Sequence, residues 1–293
     1  MSNKVLIFGI DSFTGGYLKE KLRLNDFDVV GTTLNSNHSY YCDITSFSDC
    51  INVLKNTKPD YIINLAGISF VPDIDVKKIY DVNFLGPLNI MESLNEINFF
   101  PKKILFVSSA QVYYNYNENK IKEDFKISPI NHYANSKFSM ESILDWYKSI
   151  FNINIVRPFN YTGIGQSNKF IVPKIILHFK ERKLKINLGD IDVSRDFSDV
   201  RDVCSAYIHI MKYAEKSETF NICSGKNIYL KDLINKISKI TKHKLNVIED
   251  DDFKRNNLIK HLKGDNSKLL LTGWKPYFTN FDSTLEWMIN GNN

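Results

Sequence analysis

Short, strand-like runs, the first of them fully apolar, alternate with stretches of helical spacing through the first half of this chain. That alternation limits the fold more than any other feature. Residues 5–8, 28–32, 61–65, 103–107 and 153–156 read as strands. Between them, Tyr17, Leu18, Leu22 and Leu24 are spaced for burial on one helix, and residues 82–94 carry apolar side chains at helical intervals. Residues 133–150 read as a further helix, and 199–213 as one that returns to the main sheet. Strands separated by helices imply βαβ units and a parallel sheet. Strands apolar along their whole length, rather than alternating, fit a sheet covered on both faces. The expected fold class is therefore α/β, a doubly wound parallel sheet. After Arg157-Pro158 the rhythm loosens, and Gly163, Gly165, Pro173, Gly189, Gly225 and Gly264 punctuate shorter elements. This predicts a first domain over 1–158, rejoined by 196–215, and a smaller α/β lobe over 159–195 and 216–293.

The length of 293 residues suits one large domain or two modest ones. With 43% hydrophobic and 24% charged residues, the chain is neither disordered, collagen-like nor a coiled coil. No apolar run approaches the ~20 residues that span a bilayer. The net charge of +5 is interspersed with acids, as in Lys231-Asp232, so neither nucleic acid nor a membrane is an expected partner. Cys42, Cys50, Cys204 and Cys223 lack CxxC spacing and read as small buried hydrophobes, so no metal site is expected. Met1-Ser2-Asn3-Lys4 leads straight into the first strand without a signal-type segment, so a cytoplasmic location is expected.

Three constellations carry chemistry. Gly9-Ile10-Asp11-Ser12-Phe13-Thr14-Gly15-Gly16 joins the first strand to the first helix, where a glycine turn can hold a pyrophosphate at the helix N-terminus. Gly9 would make the tight turn and Gly15 the close approach of helix and strand. Ser12 stands where a third glycine is common, and its hydroxyl could bond a phosphate. Tyr133-Ala134-Asn135-Ser136-Lys137 puts a phenol and an ammonium one helical turn apart. A nearby ammonium favours phenolate and would draw Tyr133 down from ~10. Alone, that spacing also fits an ordinary surface Tyr and Lys. Ser109, in Val107-Ser108-Ser109-Ala110-Gln111-Val112-Tyr113, leaves the end of a strand, where ligands of open parallel sheets bind. Glycine turn, strand-end serine and Tyr-Lys pair occur in this order, and their combination favours a catalytic site.

The combination resembles the extended short-chain dehydrogenase/reductase family, whose dinucleotide domain is a Rossmann fold with a substrate-binding lobe. Pro59-Asp60-Tyr61-Ile62-Ile63-Asn64-Leu65-Ala66-Gly67 resembles that family's fourth strand, and Asp81-Val82-Asn83-Phe84-Leu85-Gly86 its VNxxG helix. The likeness runs from Val5 to about Trp274-Lys275-Pro276. It implies NADPH or NADH as cofactor and a homodimer. Cofactor contacts would come from Gly9, Ser12, Phe13, Thr14 and Gly15 at the first turn, and from Thr32. Asp43 and Ile44 would lie at adenine. Leu65, Ala66, Gly67, Asn83, Tyr133, Lys137 and Pro158 would complete the cofactor site. Ser109, Tyr133 and Lys137 would be catalytic.

The second half narrows the likeness. Arg157-Pro158-Phe159-Asn160-Tyr161-Thr162-Gly163-Ile164-Gly165-Gln166 is similar to the RPFNxxGPGQ segment of nucleotide-sugar enzymes. Residues 189–203, containing Arg195-Asp196-Phe197, are similar to the reductases that act on GDP-4-keto-6-deoxy-D-mannose. That implies a GDP-linked sugar held by Ser109, Asn160, Phe170, Lys174, Arg195 and Arg255, with Arg suited to a diphosphate by its fork of donors. Arg195 could instead form an ion pair with Asp196 or Asp199. Two departures bear on the reaction. Gln111 stands where related dehydratases usually place Glu, and it cannot act as a carboxylate base. Gly31-Thr32-Thr33-Leu34-Asn35 ends the second strand with neither acid nor Arg, leaving NADPH and NADH both open. A sugar-nucleotide epimerase, a reductase of another nucleotide sugar such as a GDP-deoxyheptose, and a non-catalytic NADP-sensing protein are the alternatives.

Overall fold

The first strand shows why the sheet is wound on both faces. In β1 (Lys4–Phe8), Val5 and Ile7 point into one core, while Leu6 and Phe8 point into another. Successive strand residues face opposite sides, so a strand with no polar face needs a layer of helices over each. The structure, a computed structural model, describes residues 2–35, 40–69, 75–113, 120–250, 252 and 259–291.

The chain then runs through α1 (Phe13–Arg23), β2 (Asp28–Thr33), β3 (Tyr40–Tyr41), α2 (Phe47–Thr57) and β4 (Tyr61–Asn64). Next come α3 (Val76–Tyr80), a π-helical turn at Asp81–Leu85, α4 (Gly86–Glu96) and β5 (Lys103–Val107). A short 3-10 turn at Ala110–Val112 leads to α5 (His132–Tyr147), β6 (Ile153–Pro158) and β7 (Asn160–Thr162). The remainder comprises α6 (Ile171–Lys180), β8 (Lys185–Leu188), β9 (Ser194–Asp199), α7 (Val200–Tyr213), β10 (Thr219–Ile222) and β11 (Asn227–Tyr229). It ends with α8 (Leu230–Thr241), β12 (Asn246–Glu249), β13 (His261–Leu262), α9 (Ser267–Leu271) and α10 (Phe281–Asn290).

Seven strands form one sheet in the order β10-β6-β5-β4-β1-β2-β3, every pairing parallel. This is the Rossmann-type α/β sheet. Leu18 and Leu22 of α1 and Val203 and Tyr207 of α7 cover one face. Val53 and Leu54 of α2, Ile90 and Met91 of α4, and Met140 and Leu144 of α5 cover the other. A second sheet runs β11-β9-β13 with β7 also on β9, and β8 pairs with β12. Helices α6, α8 and α10 pack around Phe197 of β9 in a separate apolar core.

Four local expectations are corrected. Leu24 is 84% exposed, because α1 stops at Arg23 and Leu24 is its C-cap. Residues 219–222, read as part of the lobe, are the edge strand β10 of the large sheet, hydrogen-bonded to β6. The helix begun at 132 ends at Tyr147 rather than at 150. Helix α7 (Val200–Tyr213) packs on the main sheet, whereas residues 196–199, expected to rejoin it, are part of β9 in the smaller sheet, because their strand pairs with β7, β11 and β13. No helix among the described residues is long and apolar enough to cross a membrane.

Candidate active site

β1 ends in a turn built for glycine. Gly9 has φ +80°, and a Cβ there would lie 2.9 Å from the Ala66 nitrogen. A Cβ on Gly15 would lie 2.3 Å from the Ile10 carbonyl oxygen and 2.7 Å from that of Gly9. Helix α1 therefore begins pressed against the end of β1, its first amides aimed past the strand. Ser12 spends its hydroxyl as the N-cap, accepting from the Gly15 amide at 3.1 Å, and so supports the turn. The Gly9 amide donates to Thr32 Oγ1 at 3.4 Å, fixing the turn to β2. A helix N-terminus reached only by glycine backbone fits a dinucleotide diphosphate.

The ends of the next strands complete a crevice. A Cβ on Gly67 would come within 3.1 Å of Asn83 Oδ1 and 3.2 Å of Lys137 Nζ, so Gly67, Asn83 and Lys137 meet. Asn83 lies in the π-helical turn, which leaves its side chain free to bond both amide and carbonyl of Ile68 and the Ser136 hydroxyl. The Lys137 ammonium donates to the Val107 carbonyl at 2.9 Å. Ser109 and Tyr133 are hydrogen-bonded to each other, and Ser109 Oγ also accepts from the Gln111 amide at 3.2 Å. The sequence thus brings Ser109, Tyr133 and Lys137 together at the carboxyl ends of β4 and β5, beside the glycine turn.

Burial dominates the electrostatics. It pushes Tyr133 up, and the Ser109 bond only offsets this. The expectation that Lys137 would draw the phenol down is therefore corrected: desolvation of a phenolate outweighs it here. Burial pulls Lys137 down to about 8, and the negative charge of Glu141 opposes that fall.

Other expected cofactor residues are placed as follows. Leu65 and Ala66 follow β4, with the Leu65 amide donating to the Phe8 carbonyl at 3.0 Å. Asp43 turns its carboxylate onto the amide and hydroxyl of Thr45, at 2.9 and 2.8 Å. The Ile44 side chain packs against Gly86 at the start of α4. Pro158 is the buried last residue of β6. Phe13 and Thr14 meet a residue that sequence reasoning missed. Tyr161 stacks on Phe13 with ring centroids 6.3 Å apart, and its hydroxyl bonds Thr14 Oγ1 at 2.9 Å. Tyr161 lay inside a quoted motif, but only the fold shows it reaching the glycine turn.

The second set sits on the smaller sheet. Asn160 of β7 pairs with Phe197 of β9. Arg195 of β9 donates from Nη1 to the Ser194 and Lys260 carbonyls at 2.8 and 3.0 Å. Its two acidic neighbours are used elsewhere. Asp199 takes a bidentate bond from Arg201 at 2.9 and 2.7 Å, and Asp196 accepts from Ser224, Gly225 and Gly264. Phe170 caps α6, and Lys174, one turn on, donates to the Asn187 carbonyl at 3.1 Å. Arg255 lies outside the described residues.

A sequence profile of the NAD dependent epimerase/dehydratase family matches residues 5–223. The chain belongs to this family. It is 33% identical over 287 residues to GDP-6-deoxy-D-talose 4-dehydrogenase of Aggregatibacter actinomycetemcomitans, covering 97% of this chain and 96% of the relative. It is 31% identical to GDP-6-deoxy-D-mannose reductase of Pseudomonas aeruginosa, covering 95% and 94%. The structure of RMD from Pseudomonas aeruginosa complexed with NADPH superposes with a TM-score of 0.87 at 29% identity, covering 98% of each chain. The chain is therefore an oxidoreductase of an NAD(P)-dependent family, and a nicotinamide dinucleotide is its cofactor.

Proposed function

We propose that this enzyme reduces the C4 ketone of a GDP-4-keto-6-deoxy sugar with NADPH or NADH, converting GDP-4-keto-6-deoxy-D-mannose to GDP-D-rhamnose. The observation that carries this reading is the meeting of Ser109, Tyr133 and Lys137 beside the glycine turn, in a chain whose relatives act on GDP-6-deoxy sugars. The bound cofactor supplies the hydride. Gly9, Ser12 to Gly15 and Thr32 hold its diphosphate end, and Gly67, Asn83 and Lys137 its nicotinamide end. Ser109 orients the ketone oxygen with its hydroxyl, and Tyr133 donates the proton to that oxygen. Lys137, charged below about 8, steadies the phenolate left on Tyr133. Asn160, Phe170, Lys174, Arg195 and Arg255 hold the GDP end. Gln111 offers no carboxylate for abstracting a proton at C5, which argues against dehydration.

A second reading concerns the product. 6-Deoxytalose and rhamnose differ only in configuration at C4, so both alcohols derive from the same 4-keto sugar, by hydride delivery to opposite faces. The 33% identity to a talose dehydrogenase supports GDP-6-deoxy-D-talose as the alternative product. One experiment tests both readings. The purified enzyme, given NADPH or NADH and GDP-4-keto-6-deoxy-D-mannose, should consume one reduced cofactor per sugar, and the C4 configuration of the product should then be read by NMR. Conversion of a sugar nucleotide with tightly bound NAD and no net cofactor oxidation refutes the reductase reading and points to an epimerase.

A further inference from the structure

Behind the Tyr133–Lys137 pair lies a buried ionic network that the proposed reaction does not use. Glu141 stands one helical turn beyond Lys137 on α5, so Tyr133, Lys137 and Glu141 share one face. The Glu141 side chain is 6% exposed, and so is that of Arg157 at the end of β6. Arg157 grips the carboxylate with Nε at 3.0 and 3.2 Å and Nη2 at 2.5 Å. The Ser108 hydroxyl donates to Glu141 Oε1. Ser108 lies between Val107, whose carbonyl receives Lys137, and Ser109, which bonds Tyr133. Arg157 Nη1 continues to the Tyr113 hydroxyl at 2.7 Å and the Glu123 carbonyl at 3.0 Å. The Tyr113 hydroxyl in turn donates to Asn221 of β10 at 2.8 Å.

We propose that Glu141, clamped by Arg157 and Ser108, is a positioning residue that seats Lys137 against the end of β5 and keeps it positively charged. A buried carboxylate is costly unless paired and hydrogen-bonded, and a simpler α5–β6 contact would need only apolar side chains. The pair lies where its field falls on the proton-transfer groups. Tyr133 and Glu141 flank Lys137 on its own helix, and Arg157 approaches behind Glu141 from β6. Tyr113 and Glu123 surround Arg157, and Tyr161 and Tyr207 approach Tyr133 from β7 and α7. Among these groups, Glu141 is the negative charge that holds Lys137 up against burial. Opposite charges about 6 Å apart at an effective dielectric of about 20 shift a titration by roughly two pH units. Arg157 takes back part of that, leaving a shift of about one.

This inference rests on the reading of Tyr133 and Lys137 as the proton-transfer pair. The test is the pH profile of kcat with NADPH and GDP-4-keto-6-deoxy-D-mannose. The alkaline limb of the wild-type profile reports loss of charge on Lys137. Glu141→Gln leaves Arg157 unopposed and should move that limb down by about two pH units, about a hundredfold loss of rate above the wild-type midpoint. The acidic plateau should change far less. The double variant Glu141→Gln/Arg157→Met removes both charges of the pair and should fall between the two, about one pH unit below wild type. Glu141→Asp should restore most of the wild-type midpoint. A uniform fall in rate with an unshifted limb overturns the proposal and leaves Glu141 purely structural. Should Glu141→Gln not fold, an unshifted midpoint in the double variant overturns it equally. Tyr133→Phe, run alongside, separates the two ideas. Full turnover in that variant removes the Tyr133–Lys137 reading itself. An inactive Tyr133→Phe with an unshifted Glu141→Gln profile removes only the role of Glu141.

Discussion

Tyr133→Phe isolates one atom of the site. The ring is buried, and its hydroxyl bonds Ser109, so the substitution keeps the packing and deletes a single hydrogen bond. A typical intramolecular hydrogen bond contributes about 1 kcal/mol net, and Ser109 keeps its bond from the Gln111 amide. The thermal midpoint should therefore move by only a few degrees for a chain of this size. Turnover should fall much further. A positioned general acid contributes roughly 10²–10⁴-fold, equivalent to about 2.7–5.5 kcal/mol of barrier at 1.36 kcal/mol per decade. The two effects thus differ enough to be told apart. Absorbance of the reduced cofactor at saturating GDP-4-keto-6-deoxy sugar gives kcat, and cofactor fluorescence gives its dissociation constant. Lys137 and the glycine turn are untouched, so cofactor affinity should change less than about threefold. A folded Tyr133→Phe enzyme with wild-type kcat would refute the assignment of Tyr133 as the proton donor. A tenfold or larger loss of cofactor affinity would show instead that the hydroxyl acts in binding.

Further outcomes follow from the same geometry. Gly15→Ala drives a methyl group into the Ile10 and Gly9 carbonyl oxygens; backbone must move, so cofactor binding should be lost in a fluorescence titration, and wild-type affinity would contradict the close-packed turn. Arg195→Ala should weaken GDP binding by calorimetry roughly 10- to 100-fold, since bonds to charged groups are worth about 1.5–3 kcal/mol, while cofactor affinity stays unchanged; equal GDP affinity would leave Arg195 structural. Burial pushes Asp196 up to about 6 against the bonds from Ser224, Gly264 and Gly225. A carboxyl raised above its unfolded value stabilises the fold most below that value, and the contribution is lost as pH rises through about 6. Wild type should therefore gain stability relative to Asp196→Asn as pH falls from 7 to 4, by at most about 3 kcal/mol; a pH-independent difference in melting temperature would contradict the shift.

What the sequence revealed was local in every case. β1 could be read because a strand covered on both sides carries an uninterrupted apolar run from Val5 to Phe8. Gly9, Ser12 and Gly15 act within one turn, and Tyr133 and Lys137 within one turn of one helix. What it hid depends on partners far along the chain. Arg157 completes a carboxylate 16 residues away, and Tyr161 reaches Thr14 across 147. Neither distance leaves a mark in spacing. Residues 219–222 were misassigned for the same reason: a four-residue strand states its β character but not which sheet edge receives it. Leu24 followed the helical period, yet a period does not say where the helix stops.

Burial moves Tyr133 and Lys137 in opposite directions, and this couples the proposed reaction to pH. Both shifts disfavour charge, so a phenolate is tolerable only while Lys137 is an ammonium. With Lys137 near 8, neutral pH finds Tyr133 carrying its proton and Lys137 carrying its charge, the pairing that ketone reduction requires. Oxidation of a 6-deoxy sugar requires the reverse, a Tyr133 able to accept a proton, and so gains from rising pH until Lys137 loses its charge. The limit on both directions is then the lysine rather than the phenol. On this reading, a group that holds Lys137 charged widens the working range of the enzyme at its alkaline edge, and the one acidic side chain placed to do so from the same helix face is Glu141.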